Sequence, residues 1–226
     1  MKPLFSNTFN MNRSQKAFTM IELVFVIVVL GILATIALPR FDRDLKQEAA
    51  DNILSDIKLT QHMALVDFRH EFDEPKWQRS FWRIEIESCG NNSGLFVSVG
   101  SDKDYDGSLD EDETAIDPSN GHLMSWSNGQ DCTDGGDSNT SERIFITHKF
   151  GVQSVTGAGG CAGVQHIGFD HLGRPHVSFS NSTTPDYSSY MTSDCNLTFT
   201  MSDDDTFDIT IKPETGHVFI VGQEDS

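Results

Sequence analysis

The sequence has few basic residues for its length. Its 226 residues include 16 Lys and Arg against 34 Asp and Glu, which gives a formal net charge of −18. A surface this acidic repels the phosphates of nucleic acids and of anionic lipid headgroups. The composition therefore excludes nucleic acid as a partner bound through phosphates, and it favours divalent cations.

The sequence also lacks the common catalytic motifs. It contains no Gly-x-Ser-x-Gly, no His-Glu-x-x-His and no phosphate-binding glycine-rich loop, so we predict that it is not an enzyme. His166, His171 and His176 recur at intervals of five, which places them on alternating faces of a strand and disfavours a shared metal. Residues 157–160 are predicted to be a flexible glycine-rich loop.

Cysteine is absent from the first 88 residues. The four cysteines are Cys89, Cys132, Cys161 and Cys195. An oxidising compartment would allow two disulfides, whereas a cytosolic head would hold four free thiols. Four cysteines allow three connectivities. We predict Cys89–Cys132 and Cys161–Cys195, because sequential pairing closes one loop-rich region with each bridge.

One long apolar run dominates the amino-terminal part of the chain. Residues 18–38 carry a single charge, Glu22, and as a helix they would rise roughly 31 Å, about one hydrocarbon core. The run is longer than the core of a signal peptide and ends without small residues, so a cleaved signal peptide is the weaker interpretation. Residues 1–17 hold basic but no acidic side chains, which predicts a cytoplasmic leader.

A carboxylate inside such a run costs about 2.5 to 3.5 kcal/mol unless it is near the interface or paired. Around Glu22 the chain reads Lys16-Ala17, then Phe18-Thr19-Met20-Ile21-Glu22, with Pro39 downstream. This pattern resembles the type IV pilin and type II secretion pseudopilin superfamily, although the family usually has Gly where this chain has Ala17.

The resemblance implies a processing and assembly route. A prepilin peptidase of the inner membrane would cut between Ala17 and Phe18, and the new amino group of Phe18 would be methylated. Glu22 would then face the Phe18 amine of a neighbouring subunit in a filament. The implied partners are the peptidase, other pilin or pseudopilin subunits, the inner-membrane assembly platform and membrane lipid.

The segment after Pro39 is predicted to stay helical but to become amphipathic. Apolar positions recur at helical spacing from Leu45 to Phe68, so the helix would run from residue 18 to about 72, with Pro75 as its latest end. Pro39 removes one backbone hydrogen bond and should bend the helix. The predicted divisions are a leader (1–17), a transmembrane and assembly helix (18–41), its amphipathic continuation (42–74) and a β-rich periplasmic or extracellular head (75–226).

The head shows the two-residue periodicity of strands. Predicted strands are 81–87, 94–100, 143–148, 165–169, 175–179, 196–201, 207–212 and 216–221. The first two form a hairpin, and the amphipathic helix should pack on one sheet face. The fold class is therefore α+β and pilin-like, with a long helix on an antiparallel sheet. The closing segments 168–175 and 208–218 resemble those of minor pseudopilins and minor pilins.

One loop carries a metal-binding signature. Asp102 to Glu113 fit the twelve-residue EF-hand loop, with ligands expected from Asp102, Asp104, Asp106, Ser108, Asp110 and Glu113. Hard oxygen ligands in this number predict Ca²⁺. Because helices do not flank the loop, we expect calcium to brace a long connection; the alternative is an acidic, solvated turn.

Together these features predict a pilin-like structural subunit of a type II secretion pseudopilus or a type IV pilus. It would cross the inner membrane once, with a cytoplasmic leader and a periplasmic head, before it enters the filament. The alternative function is that of a monomeric, signal-anchored, calcium-binding periplasmic protein.

Overall fold

The structure is a computed structural model that describes the backbone of residues 19–224 and the side chains of 19–33 and 45–224. The chain divides into two units, Met1–Asp42 and Arg43–Ser226. Helix α1 comprises Met20–Val66, and a second, short helix α2 comprises Ile146–Phe150. The described residues form eight strands, β1 Trp82–Ser88, β2 Leu95–Gly100, β3 Val152–Gly159, β4 His166–Phe169, β5 Pro175–His176, β6 Cys195–Met201, β7 Thr206–Ile211 and β8 Val218–Ile220.

The strands form two antiparallel sheets instead of the single sheet expected. One sheet has the order β2-β1-β4-β5 and the other the order β3-β6-β7-β8. The β1–β2 hairpin is confirmed, with Glu85 opposite Ser98. Asn91 and Asn92 adopt positive φ in its turn, a conformation that asparagine tolerates better than most residues.

The carboxyl-terminal half of α1 packs on the sheets, as the fold class requires. Ala49, Ile53, Ile57 and Ala64 are buried in one core cluster with residues of both sheets, among them Ile84, Phe169, Phe199 and Ile209. Their spacing of four and seven residues places them on one helix face. The α+β class with a helix packed on antiparallel sheets is therefore confirmed.

The helix ends earlier than predicted. It stops at Val66, whereas the periodicity suggested about residue 72. Asp67 follows at the helix end and accepts hydrogen bonds from Trp82 Nε1 (3.0 Å) and from Arg69. Phe68, expected on the buried face, is exposed. These side-chain contacts to Asp67 accompany the departure of the chain from the helix.

The strand predicted at 143–148 is wrong. The segment forms a 3₁₀ turn, Glu142–Ile144, followed by α2. Ile144, Phe145 and Ile146 are all fully buried, and three consecutive buried side chains do not fit a half-buried strand. Gly151 then ends α2 in the left-handed conformation with φ 81°.

The flexible loop predicted at 157–160 is also wrong, because most of it belongs to β3. Gly157 and Gly159 pair with Leu197 and Cys195 on β6. A Cβ atom at Gly159 would collide with the Asp194 carbonyl oxygen, and one at Gly157 with the Cys161 carbonyl oxygen. These glycines therefore allow close backbone approach within the sheet.

Candidate functional sites

The acidic loop predicted to bind calcium follows β2 directly. Asp102, Asp104 and Asp106 each place a carboxylate oxygen within 4.8 Å of the others. Among the described residues, this is the one group of three or more metal-ligating side chains that are this close together. Asp102 is fully buried, whereas Asp104 and Asp106 are exposed.

Asp102 organises the first half of the loop. Its Oδ1 accepts a hydrogen bond from the Asp106 N–H (3.2 Å), and its Oδ2 accepts one from the Gly107 N–H (2.8 Å). Gly107 has φ 101°, which a residue with a Cβ rarely adopts, so glycine is required at this turn. The backbone therefore wraps around one buried carboxylate.

Glu113 closes the second half of the loop. Its Oε1 accepts hydrogen bonds from the backbone N–H groups of Lys103 and Asp104, the latter at 3.1 Å, and its Oε2 accepts one from the Asp110 N–H (3.1 Å). Glu113 is buried. Glu113 and Asp110 do not belong to the close group of three carboxylates. The structure thus brings together three of the six predicted ligand residues.

Arg83 of β1 supports the loop from beneath, a contact that the sequence did not suggest. Its fully buried side chain donates from Nη2 to the carbonyl oxygens of Gly107 and Ser108, both at 3.0 Å. Its Nη1 lies 3.8 Å from Asp102 Oδ2. The Ser108 carbonyl, expected to be a calcium ligand, thus already accepts one hydrogen bond, and one lone pair remains.

The loop carboxylates have pKa values that reflect these surroundings. Burial raises the pKa of Asp102, although hydrogen bonding and Arg83 oppose that rise. Burial and then the neighbouring acids Asp106 and Glu113 raise the pKa of Asp110. Hydrogen bonds from Ser108 lower the pKa of Asp106. An ion with several oxygen ligands would relieve the repulsion among these groups, and this donor set fits a hard cation.

The three histidines considered above do not form a metal group among the described residues. His176 is buried, with Nδ1 2.9 Å from Ser189 Oγ and Nε2 3.3 Å from Asp170 Oδ2. This Ser-His-Asp set is not arranged as a nucleophile, because the Ser189 hydroxyl donates to the Asp186 carbonyl (2.8 Å) and all three side chains are buried. It joins β4 and β5 to the following loop.

Asp170 is held ionised by its neighbours. Burial alone would raise the pKa of Asp170, but hydrogen bonds from His176 and Arg174 outweigh that effect and lower it well below the usual range. His166 differs, because burial and the nearby Arg83 lower its pKa to about 4, which leaves the imidazole neutral at pH 7.

Both disulfides have the predicted pairing. Cys89 is bonded to Cys132 with 5.9 Å between their Cα atoms, and Cys161 to Cys195 with 5.0 Å. The first ties the β1–β2 turn to the long loop region after β2. The second joins Cys161, which follows β3, to Cys195, the first residue of β6, the strand that pairs with β3.

The first turn of α1 contains Glu22. The Glu22 N–H donates to Thr19 Oγ1 (3.3 Å), and the Thr19 N–H donates to Glu22 Oε2 (3.5 Å), so the two residues cap the helix reciprocally. The apolar side chains between Met20 and Leu33 are exposed. Ala17 and Phe18 lie outside the described residues. Pro39 lies within α1, and the bend predicted there stays a prediction.

Residues 12–38 match the family model described as the prokaryotic N-terminal methylation motif. Residues 12–38 are a prepilin-type segment. The match includes the predicted cleavage position between Ala17 and Phe18 and also Glu22, whereas no part of the head is covered. Comparisons with curated proteins and with solved structures found no match. The resemblance of the head to minor pseudopilins stays a prediction.

Within the part of the chain that the structure describes, no helix is both long and apolar enough to cross a membrane. The membrane-spanning element of the predicted fold is thus not confirmed.

Proposed function

We propose that this protein is a pilin-like structural subunit, cut by prepilin peptidase and assembled into a filament through its amino-terminal helix. The methylation motif at 12–38 is the observation that carries the proposal. The exposed apolar side chains of Met20 to Leu33 supply a surface that other subunits or lipid would cover. The segment 18–41 would anchor the precursor in the inner membrane, with the leader cytoplasmic and the head periplasmic.

Glu22 has a specific role in this proposal. In the monomer its carboxylate is exposed at the start of α1 and caps the Thr19 N–H. After cleavage, the free amine of Phe18 on a neighbouring subunit would pair with it. Such a pair offsets the cost of a charge in an apolar layer and fixes the stagger between adjacent helices.

Mass spectrometry tests the processing step. Full-length protein is produced in cells with and without a prepilin peptidase, and the mature terminus is determined. We expect methylated Phe18 only when the peptidase is present, and an Ala17→Arg variant should keep its leader. An intact leader on the native protein in its own cells would refute the proposal and favour the monomeric, signal-anchored calcium-binding protein.

The proposal covers both a type IV pilus and a type II secretion pseudopilus. The two assemblies differ in the machinery that surrounds the subunit. Neighbouring genes for secretion or for pilus components distinguish them, and cross-linking of the processed protein to its filament partners provides a direct test.

We also propose that the loop 102–113 binds Ca²⁺ and braces the head. The carboxylates of Asp102, Asp104 and Asp106 lie close together, and that of Asp102 is fully buried. This cluster supports the second function. Asp110 and the carbonyl of Ser108 would complete the ligand set, with Glu113 as a further carboxylate. Extracellular modules of this kind bind calcium with a Kd of roughly 10⁻⁴ to 10⁻³ M.

Calorimetry and thermal melting of the full-length protein test this second proposal. Calcium that binds the folded state must raise the melting temperature by mass action, and a chelator must reverse the rise. An unchanged melting temperature at millimolar calcium would show that the loop is an acidic turn without a metal.

A further inference from the structure

A polar cleft of about 660 Å³ opens over the face of the first sheet that carries Glu85 and Glu87. Glu85 and Glu87 line it from β1; they are two residues apart and so project from the same side of the strand. Glu85 lies directly opposite Ser98 of β2 and His166 of β4, which also line the cleft. The floor of the cleft is therefore a hydrogen-bonding surface on ordered strands.

The lining of this cleft carries charge of one sign. Its carboxylates are Glu85, Glu87, Asp110, Glu111 and Asp137, and no Lys or Arg is among the described residues that line it. One buried cation, Arg83, projects from the same side of β1 and pairs with Glu85 (Nε to Oε1, 2.7 Å). Burial and then the charge of Glu85 raise the pKa of Glu87. A concave surface of this kind concentrates the field of its charges and attracts cations.

A small metal ion does not fit this arrangement. Among the described residues, no three carboxylates of the cleft come within 4.8 Å of one another, whereas Asp102, Asp104 and Asp106 do. The negative charges are instead spread over the floor and walls. A ligand with several separated positive groups matches that distribution better than one ion.

Neutral donors and acceptors lie between the carboxylates. Ser125, Asn128 and Gln130 are among the residues that line the cleft. Two ring nitrogens of the lining residues, Trp126 Nε1 and His166 Nε2, are buried and have no hydrogen-bond partner among the described residues. Buried polar atoms without partners are rare, and they mark places where a ligand or water completes the bonding.

We propose that this cleft binds an extended organic cation that carries two or more amine or guanidinium groups. A Lys- or Arg-bearing protein segment and a free polyamine share this chemistry. The carboxylates would bind the positive groups, and the amides and hydroxyls would bind the peptide groups of a protein segment. The cleft would thereby give the acidic head a partner site distinct from α1.

Isothermal titration calorimetry of the full-length protein tests the proposal, with a chelator present to exclude divalent cations. The probes are a blocked Lys-Gly-Lys-Gly-Lys peptide, the tetra-amine spermine and a matched Glu-Gly-Glu-Gly-Glu peptide. We expect the lysine peptide or spermine to bind at low salt, with an affinity that falls as salt rises, and the acidic peptide not to bind. The tighter of the two ligands identifies the source.

Three variants locate the site. Glu87→Gln combined with Glu111→Gln should weaken binding about tenfold or more and flatten the salt dependence. Glu48→Gln combined with Glu214→Gln removes the same charge from exposed positions outside the cleft and should leave binding unchanged. Trp126→Phe keeps a ring against Phe145 but removes the indole donor, so it should weaken binding without changing the salt dependence.

Absence of binding by both cations at low salt would overturn the proposal. Equal weakening by the cleft pair and the control pair would do the same, because it would assign binding to the overall charge of the surface. If Asp104→Asn lowered the affinity for the cation as much as the cleft pair does, the binding would be assigned to the calcium loop instead.

Discussion

Arg143 Nη2 lies 2.7 Å from Oδ1 of Asp56, a fully buried carboxylate in the middle of the packed half of α1. The same guanidinium reaches Asp117 Oδ1 (3.2 Å) from Nη1 and donates from Nε to Asn52 Oδ1 (2.6 Å). Arg143 therefore connects the helix with two segments of the long loop region. The Asp56 carboxylate thus interrupts the apolar face of α1, and its burial as a charged group depends on the ion pair with Arg143.

Asp56 should make stability pH-dependent. Burial raises its pKa to about 7, against the opposing attraction of Arg143, while in the unfolded chain the pKa is near 3.8. The folded protein therefore binds this proton more tightly, so the stability from Asp56 is fully present below about pH 4 and is lost as pH rises towards 7. Chemical denaturation of the wild type and Asp56→Asn should show a stability difference that declines over this range.

Asp117 provides the internal control for that measurement. Burial would raise the pKa of Asp117, but hydrogen bonds from Ser141 and Ser119 and the charge of Arg143 lower it overall. The stability that Asp117 contributes therefore increases with pH, and it is present in both the wild type and Asp56→Asn. A wild-type minus Asp56→Asn difference that rises with pH would contradict the prediction.

Loss of the Cys161–Cys195 bridge should destabilise the head substantially. The bridge closes a segment with a sequence separation of 34 residues, for which the chain-entropy model gives about 4 kcal/mol. Urea denaturation of the Cys161→Ser, Cys195→Ser double variant should show a loss of this order. The corresponding variant of Cys89 and Cys132, with a separation of 43, is the matched comparison, and a loss below about 1 kcal/mol in both would contradict the prediction.

Alanine substitutions at Gly159 and Gly163 should distinguish the cost of a steric collision from the cost of a positive φ. Both have positive φ, 68° and 74°, but only at Gly159 would a Cβ collide with a backbone carbonyl. Gly163→Ala should cost about 1 kcal/mol from its φ alone, and Gly159→Ala about 3 kcal/mol or more. Thermal and urea unfolding measure both, and equal costs would show that β3 and the Asp194 segment can move apart.

The calcium loop should distinguish side-chain ligands from a backbone ligand. Asp104→Asn should weaken calcium binding about tenfold or more, with little effect on the metal-free protein, because Asp104 is exposed and accepts one backbone hydrogen bond, from Asp106 (3.1 Å). Ser108→Ala should leave calcium affinity nearly unchanged because it keeps the carbonyl. Calorimetry measures both affinities, and a larger loss for Ser108→Ala would contradict the proposed ligand set.

Local patterns were sufficient for part of this fold. The spacing of Ile53 and Ile57 indicated the buried helix face, and the alternation around Ile84 indicated the hairpin. The segment around Phe145 was mispredicted because consecutive apolar residues suit a buried turn and a short helix as well as a strand. Glycines in β3 resembled a loop because the neighbouring carbonyls that require them are distant in sequence.

The candidate sites divide in the same way. The loop ligands are close in sequence, so a motif could indicate them. Arg83 beneath the loop, Arg143 beside Asp56, and the cleft over Glu85 depend on contacts between distant segments, and no local pattern indicates them. For Arg83 the sequence holds one signal, its position between Trp82 and Ile84, since a charge between apolar residues requires a partner when buried.

Neither disulfide includes a residue of α1, since all four cysteines are in the head and pair with one another. A tensile load applied along α1 would therefore be resisted first by noncovalent contacts, chiefly the packing of Ile53 and Ile57 and the Arg143 ion pairs, and the backbone after Val66 would carry it once these contacts yield. The covalent bridges would keep each loop region intact while that junction yields. Under mechanical tension, the noncovalent interface between α1 and the sheets is expected to yield before the regions that the disulfides close.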